Sequence, residues 1–456
     1  MPFTDDQVML CLAGLTYRGF NDAAVGAFHT DVVRRAIMHG LDRLPPVAGE
    51  WEMVWGPAIY RAATSLLDDE LMYVVRGRKR PSRYVVAIRG TNPVSAFDWL
   101  FGDLWAGRKT AWRYGDGSAR VSISTALGLN LLQGLRSDGP RQDDALWRLV
   151  DSRTSAVPVL EKGLLGTLAG LAGHAIAPLR VAFGEVLETL ARRRSAQPAP
   201  DADQHVQAAV ELWKSRVRTL ALELIDRVGA LVGDRFDVAL LALLEDEARL
   251  RASLGVGSDL VTFLAGAVEH SADPVEIVVT GHSKGGALAS TLALWLAETQ
   301  GPTASTAERW DPQRRATVHC WSFAAPTAGD ESFVARSNAI IGPRCHRIAN
   351  QLDVVPHAWA LAELARIPEL YDPTVVPALP AIETLVVTIT AVTQKLGYTH
   401  VGNLVTELPG KVDRTKPFFF HQLVHQHMQA YLDLMGLTEA GVDTVTLFDP
   451  LAALPQ

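Results

Sequence analysis

Apolar residues fall into two kinds of pattern along this chain. Two runs rich in β-branched and aromatic residues, Leu71–Gly77 and Arg83–Gly90, are separated by the basic turn RKRPS, which predicts a hairpin. Three further runs have the composition of buried strands: Val275–Gly281, Thr317–Pro326 and Arg344–Asn350. Segments with helical spacing separate the strands. This alternation predicts an α/β fold with a mostly parallel sheet flanked by helices.

Residues 128–250 break that alternation, because no strand is predicted there. A polar, proline-containing linker, Ser195–Asp203, precedes a series of apolar residues spaced by three and four positions. This series predicts a long amphipathic helix and comprises Val206, Val210, Trp213, Val217, Leu220, Leu224, Val228 and Leu231. We therefore predict a single domain over residues 1–456, with residues 128–250 as a helical insertion and a candidate lid or cap.

The uncharged apolar segment Gly163–Leu179 lies within this predicted insertion. Its 17 residues fall short of the roughly 20 needed to span a bilayer, so no transmembrane segment is predicted. The segment is either an interfacial lid element, which would make transient contact with lipid, or a buried helix pair, and the second interpretation is favoured.

Composition and charge narrow the classes of function. The net charge of −7 gives no electrostatic reason to expect a nucleic-acid partner. Three cysteines cannot form a disulfide framework. The N-terminus carries Asp5 and Asp6 in place of a cationic signal-peptide start. These features predict a cytoplasmic protein, or one exported without a cleavable signal peptide.

The segment GHSKG, Gly281–Gly285, joins a strand pattern to a helix rich in alanine and leucine. A sharp strand-to-helix turn needs glycines beside the serine so that the two backbones can approach each other. Such a turn exposes a nucleophilic hydroxyl at a helix N-terminus, where developing negative charge is favoured. Ser283 is therefore a candidate nucleophile, and the alternative is a serine that caps the helix.

A serine nucleophile needs a histidine base and a carboxylate that orients it, and in α/β-hydrolases these follow in the order Ser, Asp or Glu, His. Asp353 comes just after the predicted strand that ends near Asn350; alternatively it is a turn residue. His357 is close to Asp353 in sequence and is a poor candidate for the base. His421, His425 and His427 follow in a predicted C-terminal helix. Their spacing without a carboxylate is weak evidence for a metal site, so no metal is predicted.

Six motifs occur in the order found in the class 3 lipase family, which the chain resembles over roughly residues 73–103 and 257–435. They are VVAIRGTNPVSAFDWLFGDL, VTGHSKGGALA, WSFAAPTAGDESF, RIANQLDVVPH, YTHVG and HQHMQAYLDLM. The resemblance implies an α/β-hydrolase fold and a serine esterase that uses no metal or organic cofactor. Leucine is usual in this family where the chain has Lys284.

The resemblance also implies roles for individual residues. Ser283 is the nucleophile and Asp353 the acid, while the backbone N–H groups of Thr91 and Lys284 form the oxyanion hole. His427 and His425 both fit the family's variable spacing before Tyr431, and His427 is preferred as the base. His400, in the His-Val-Gly motif, is interpreted as structural.

The leading prediction is a carboxylic-ester hydrolase, a lipase acting on acyl esters of lipids. Triglycerides, phospholipids and small soluble esters all remain open as substrates. One alternative is a phospholipase that acts on a target membrane, and another is a catalytically silent hydrolase fold that serves as a binding or scaffold protein.

Overall fold

The computed structural model describes residues 2–18, 30–60, 70–90, 109–138, 256–302, 304, 308–376 and 380–448. The strands are β1 (Trp51–Tyr60), β2 (Glu70–Gly77), β3 (Arg83–Ile88), β4 (Lys109–Ala111), β5 (Arg120–Ser122), β6 (Arg136–Asp138), β7 (Val256–Asp259), β8 (Val275–His282), β9 (Ala316–Phe323), β10 (Gly329–Asp330), β11 (Cys345–Asn350), β12 (Tyr398–Thr399) and β13 (Leu404–Leu408).

The helices are α1 (Asp5–Gly14), α2 (Thr30–Arg43), α3 (Ile123–Gly134), α4 (Leu260–His270), α5 (Lys284–Glu298), α6 (Glu331–Ile340), α7 (Leu361–Leu364), α8 (Pro380–Thr393), α9 (Phe419–His427), α10 (Gln429–Leu434) and α11 (Thr444–Phe448), with short 3₁₀ turns between some of them. None of these described helices combines the length and the apolar composition that crossing a bilayer requires.

A seven-stranded mixed sheet forms the centre, in the order β1-β2-β3-β8-β9-β11-β13. The strands β1, β2 and β3 pair antiparallel, and every pair from β3 to β13 is parallel. The predicted hairpin is therefore confirmed as β2 and β3. The three predicted buried strands are confirmed as β8, β9 and β11, and the parallel part of the sheet brings their carboxyl ends to one edge.

Apolar side chains cover both faces of this sheet. Along β3, Val86 and Ile88 pack into one core, which includes apolar residues of α3, α4, α5 and α6. Val85 and Ala87 point to the opposite face and pack with residues of α1, α2, α10 and α11. This alternation follows from the two-residue period of a strand, and burial on both faces explains the nearly continuous apolar composition of β3 and β8.

Aspartates fix the starts of two helices beside the sheet. The Asp259 side chain accepts a hydrogen bond from the Thr262 backbone N–H at 2.7 Å, at the start of α4. Asp330 accepts one from Phe333 N–H at 3.0 Å, at the start of α6. Each carboxylate satisfies a donor that the first helical turn leaves unused, so the position of the helix start is encoded locally.

The interval predicted to be a helical insertion requires a correction at its beginning. Helix α3 extends to Gly134 and packs into the core, so an insertion begins further along the chain than residue 128. The prediction that this interval lacks strands was also wrong, because β6 pairs antiparallel with β7. Three residues, Arg-Ser-Asp, are too few and too polar to show a strand pattern. The segments Gly163–Leu179 and Val206–Leu231 lie outside the described residues, and the insertion stays a prediction.

Candidate active site

Ser283 occupies the turn between β8, which ends at His282, and α5, which begins at Lys284. Its backbone has φ 61° and ψ −133°, a conformation that residues other than glycine rarely adopt. Such strain costs on the order of 1–3 kcal/mol and is found where surrounding structure imposes it. Here Ser283 N–H donates to the Phe323 carbonyl at 2.9 Å, which ties the turn to the end of β9. This is the geometry expected of a nucleophile elbow.

Glycines allow three backbone segments to meet at this turn. A Cβ atom on Gly281 would overlap the Gly285 carbonyl. A Cβ on Gly90 would overlap the His282 carbonyl and lie 3.0 Å from the Ser283 Cβ. The glycine of the Arg-Gly-Thr motif therefore lies directly against the elbow. Thr91, the next residue, lies outside the described residues, and its role in an oxyanion hole stays a prediction.

Asp353 and His427 form a buried pair. His427 Nδ1 lies 2.8 Å from Asp353 Oδ2 and 3.1 Å from Oδ1, and the two residues are 2% and 0% exposed. Two more donors fix the carboxylate: the Val355 N–H at 3.0 Å from Oδ1, and the Tyr431 hydroxyl at 3.0 Å from Oδ2. A carboxylate on Nδ1 keeps the proton on that nitrogen, which leaves Nε2 to accept a proton.

His282 connects the elbow to this pair. Its Nε2–H donates to the His427 backbone carbonyl at 2.8 Å, and its Nδ1 accepts from the Tyr17 hydroxyl at 3.3 Å. The two histidine rings are 4.6 Å apart, centroid to centroid. Burial lowers the pKa of His282 well below its ordinary value, so the ring is neutral, as these two contacts require. The residue before Ser283 thus contacts the residue that pairs with Asp353.

His425, the alternative base, lies on a different side of helix α9. Residues two positions apart on a helix point about 200° apart. With His427 directed to Asp353, the charged groups that act on His425 are Lys416, Asp413 and Asp433. The structure therefore brings His427, and not His425, to Asp353.

His400 and His357 share a different partner. His400 Nε2 and His357 Nδ1 lie 3.3 and 3.4 Å from Glu363 Oε2. This contact joins the loop after Asp353 to the His-Val-Gly segment, in agreement with the structural interpretation of His400. Across the described ranges, no group of three or more His, Cys, Asp or Glu side chains is arranged to hold a metal ion.

The contact of Tyr431 with Asp353 was not predicted from the sequence, and it leads to a first testable prediction. Tyr431→Phe removes the hydroxyl that donates to Asp353 and accepts from Asn350 N–H at 2.9 Å. Because hydrogen bonds to charged groups contribute about 1.5–3 kcal/mol, we expect kcat for ester hydrolysis to fall by roughly tenfold or more. Steady-state kinetics of the purified variant measure the fall in kcat, and thermal unfolding measures any loss of stability.

Tyr73→Phe is the matched control, because the buried Tyr73 hydroxyl donates to the Leu12 carbonyl at 2.6 Å. It should lower stability by a similar amount and leave kcat unchanged. Equal kinetic effects of the two variants would contradict a positioning role for Tyr431.

Comparison with known proteins agrees with the geometry. Residues 242–362 match the family described as Lipase (class 3). A solved structure, "Crystal structure of M37 lipase", matches with a TM-score of 0.66 and 24% identity, over 99% of this chain and 99% of that chain. No curated protein matches the chain. The structural match indicates the same α/β fold as the M37 lipase, and the segment that matches the class 3 lipase family contains Ser283 and Asp353.

Proposed function

We propose that the chain is a serine carboxylic-ester hydrolase that cleaves acyl esters of lipids through Ser283, His427 and Asp353. The observation that carries the proposal is the buried Asp353–His427 pair, with bonds of 2.8 and 3.1 Å, next to the elbow that holds Ser283. The match of residues 242–362 to the class 3 lipase family supports the lipase-type reaction, and the name of the M37 lipase agrees with it.

The proposed reaction has two acyl-transfer steps. His427 Nε2 takes the Ser283 proton as the Ser283 oxygen attacks the ester carbonyl, and Asp353 stabilises the imidazolium that forms. Collapse of the tetrahedral intermediate releases the alcohol, which receives the proton from His427. Water then attacks the acyl-enzyme with His427 again as base, and the carboxylic acid leaves. These steps require no metal or organic cofactor.

Negative charge on the carbonyl oxygen needs donors fixed in advance. We propose the backbone N–H groups of Lys284 and Thr91 for this role. Lys284 is the first residue of α5, where the helix dipole favours an anion. Gly90, which precedes Thr91 in the chain, lies against Ser283. Loss of one such donor typically costs about 10²- to 10³-fold in kcat.

The proposed substrate class is a lipid acyl ester. A small cavity lies beside the elbow and is lined by Lys284 and by the apolar residues Leu288, Pro326 and Trp359. Residues with hydroxyl groups line the rest of it: Ser122, Ser124, Thr125 and Thr327. An apolar wall suits an acyl chain, and the polar part suits the ester group and its alcohol. A phospholipid or a small soluble ester would present the same reacting carbonyl. Rates of hydrolysis of the three substrate classes therefore distinguish them.

A fluorophosphonate probe tests the proposal, because it phosphonylates a serine only where a base and an oxyanion hole activate it. We expect the wild-type protein to gain one adduct, which peptide mass spectrometry locates on Ser283. The labelled enzyme should lose hydrolysis of emulsified triglyceride and of monomeric p-nitrophenyl esters in parallel.

Ser283→Ala serves as the control and should remain folded and unlabelled. An unlabelled, well-folded wild type would overturn the hydrolase proposal and favour the scaffold alternative. Rapid hydrolysis of phosphatidylcholine vesicles with little triglyceride hydrolysis would shift the substrate to phospholipids.

A further inference from the structure

A buried ion pair lies directly after the proposed nucleophile. Lys284 Nζ is 2.9 Å from Glu70 Oε1, and the two side chains are 13% and 2% exposed. Moving both charges out of water has a high cost in free energy, which is recovered only when the partners stay in contact. The pair is therefore a rigid contact, unlike the mobile ion pairs of a protein surface.

The position of Glu70 in the sheet explains what this contact joins. Glu70 begins β2, which pairs antiparallel with β3. Arg89 N–H donates to the Leu71 carbonyl at 2.9 Å, so the turn after β3 lies beside the start of β2. Gly90, in that turn, packs against Ser283. The ion pair thus links the start of α5 to the start of β2, and the Arg89–Gly90 turn lies beside both.

We propose that Lys284 and Glu70 are positioning residues for the oxyanion hole. Their ion pair ties the first residue of α5 to the start of β2, and so fixes the Lys284 backbone N–H and the Arg89–Gly90 turn relative to Ser283. The inference rests on the proposed function. It concerns this chain's own residues, because the family pattern has leucine where this chain has Lys284.

Loss of the ion pair should affect catalysis because the oxyanion-hole donors must be accurately aligned. An oxyanion-hole donor acts only when it points to the place where the charge develops. If the tie is lost, the backbone of Lys284 and the adjacent turn can shift by a fraction of an ångström. Stabilisation of the tetrahedral intermediate then declines, whereas contacts of the ground-state ester with Leu288, Pro326 and Trp359 on the cavity wall are retained.

Kinetics of three variants test the proposal. Lys284→Met breaks the tie, and we expect kcat to fall by about 10- to 100-fold with a smaller change in KM. Glu70→Gln removes the charge of the pair and keeps only an amide oxygen as acceptor, so kcat should fall by a smaller factor, at least about threefold. Lys284→Arg keeps a cation that can reach Glu70 and should keep kcat within about threefold of wild type. The dissociation constant of an alkyl boronic acid, which forms a tetrahedral adduct with the serine, should rise in parallel with the loss of kcat.

A partly buried ion pair at the other end of the same helix provides the control. Glu298 pairs with Arg336 and lies about 21 Å along the helix axis from Lys284, at 1.5 Å per residue. Glu298→Gln should lower thermal stability and leave kcat unchanged. Should the single variants fail to fold, the double variant Glu70→Gln, Lys284→Met leaves neither charge buried alone and should fold with kcat still reduced.

Two results would overturn the inference. One is a kcat for Lys284→Met and Glu70→Gln that matches Glu298→Gln, and the other is wild-type kcat in the double variant. Failure of the proposed function would be seen differently, as absence of fluorophosphonate labelling in the wild-type protein itself.

Discussion

Replacement of His427 by alanine is expected to lower kcat for ester hydrolysis by roughly 10⁵- to 10⁶-fold, the loss typical of a catalytic base that acts as a unit with its serine. His427 Nδ1 is held by Asp353 at 2.8 Å, so the opposite nitrogen is left as the proton acceptor. Without the imidazole, the Ser283 hydroxyl has no base and is a weak nucleophile at neutral pH. Initial rates with a p-nitrophenyl ester, normalised to folded protein by circular dichroism, measure the loss.

His425→Ala is the matched control, because it removes an imidazole from the same helix two residues away. The charged groups near His425 are Lys416, Asp413 and Asp433, so kcat should stay within about threefold of wild type. A large loss in His425→Ala with a small loss in His427→Ala would overturn the assignment of the base. Comparable large losses in both would indicate that helix α9 as a whole, and not one imidazole, had been disturbed.

The sequence alone was sufficient to predict the part of the fold that supports the elbow. The strands β2, β3 and β8 are buried along almost their whole length, so their apolar runs predict strands clearly. The strands β9 and β11 include partly exposed polar residues, and their apolar patterns are less regular. Strand β1 was missed because Gly56 and Pro57 interrupt its pattern. Strand β13 was missed because it is a largely exposed edge strand without alternating burial.

The residues around the candidate site were predicted less completely, for a physical reason. Motif order was enough to select Ser283, Asp353 and two histidines, but the spacing before Tyr431 left both histidines possible. The direction of a side chain from α9 depends on where the helix packs, which is a tertiary property. The hydrogen bonds of His282 with His427, and of Tyr431 with Asp353, join residues 145 and 78 positions apart. Local patterns contain no information on such contacts.

The partner of Lys284 is another contact that local sequence patterns could not predict. The ammonium next to the elbow was visible in the sequence as a departure from the family pattern, but its acidic partner was not. Glu70 could not be identified as that partner, because it is 214 positions away and carries no motif. Only the antiparallel register of β2 and β3 brings Glu70 to the edge of the sheet where β8 ends.

Replacement of Asp353 by asparagine is expected to lower kcat by roughly 10⁴-fold, with smaller effects on KM and on folding. An amide has nearly the size of the carboxylate, so the packing around this fully buried residue is retained. Its oxygen can still accept one of the hydrogen bonds from Val355 N–H, Tyr431 or His427. The amide cannot stabilise the imidazolium as a carboxylate does, and an NH₂ group facing Nδ1 favours the tautomer with the proton on Nε2. In that tautomer His427 cannot take the proton from Ser283.

Asp330→Asn separates this effect from the general cost of neutralising a buried aspartate. Asp330 caps helix α6 and pairs with Lys109 at 2.8 Å. Burial raises the pKa of Asp330, but the hydrogen bonds from Lys109, Phe333 N–H and Arg120 N–H, together with the Lys109 charge, hold that pKa below its ordinary value. The Asp330 variant should lose about 1–3 kcal/mol of stability and keep its turnover number.

Fluorophosphonate labelling of Asp353→Asn should slow by a factor similar to that for kcat, since both reactions need the same activated serine. Labelling at the wild-type rate in Asp353→Asn would mean that another acid orients His427, and the role proposed for Asp353 would then be lost.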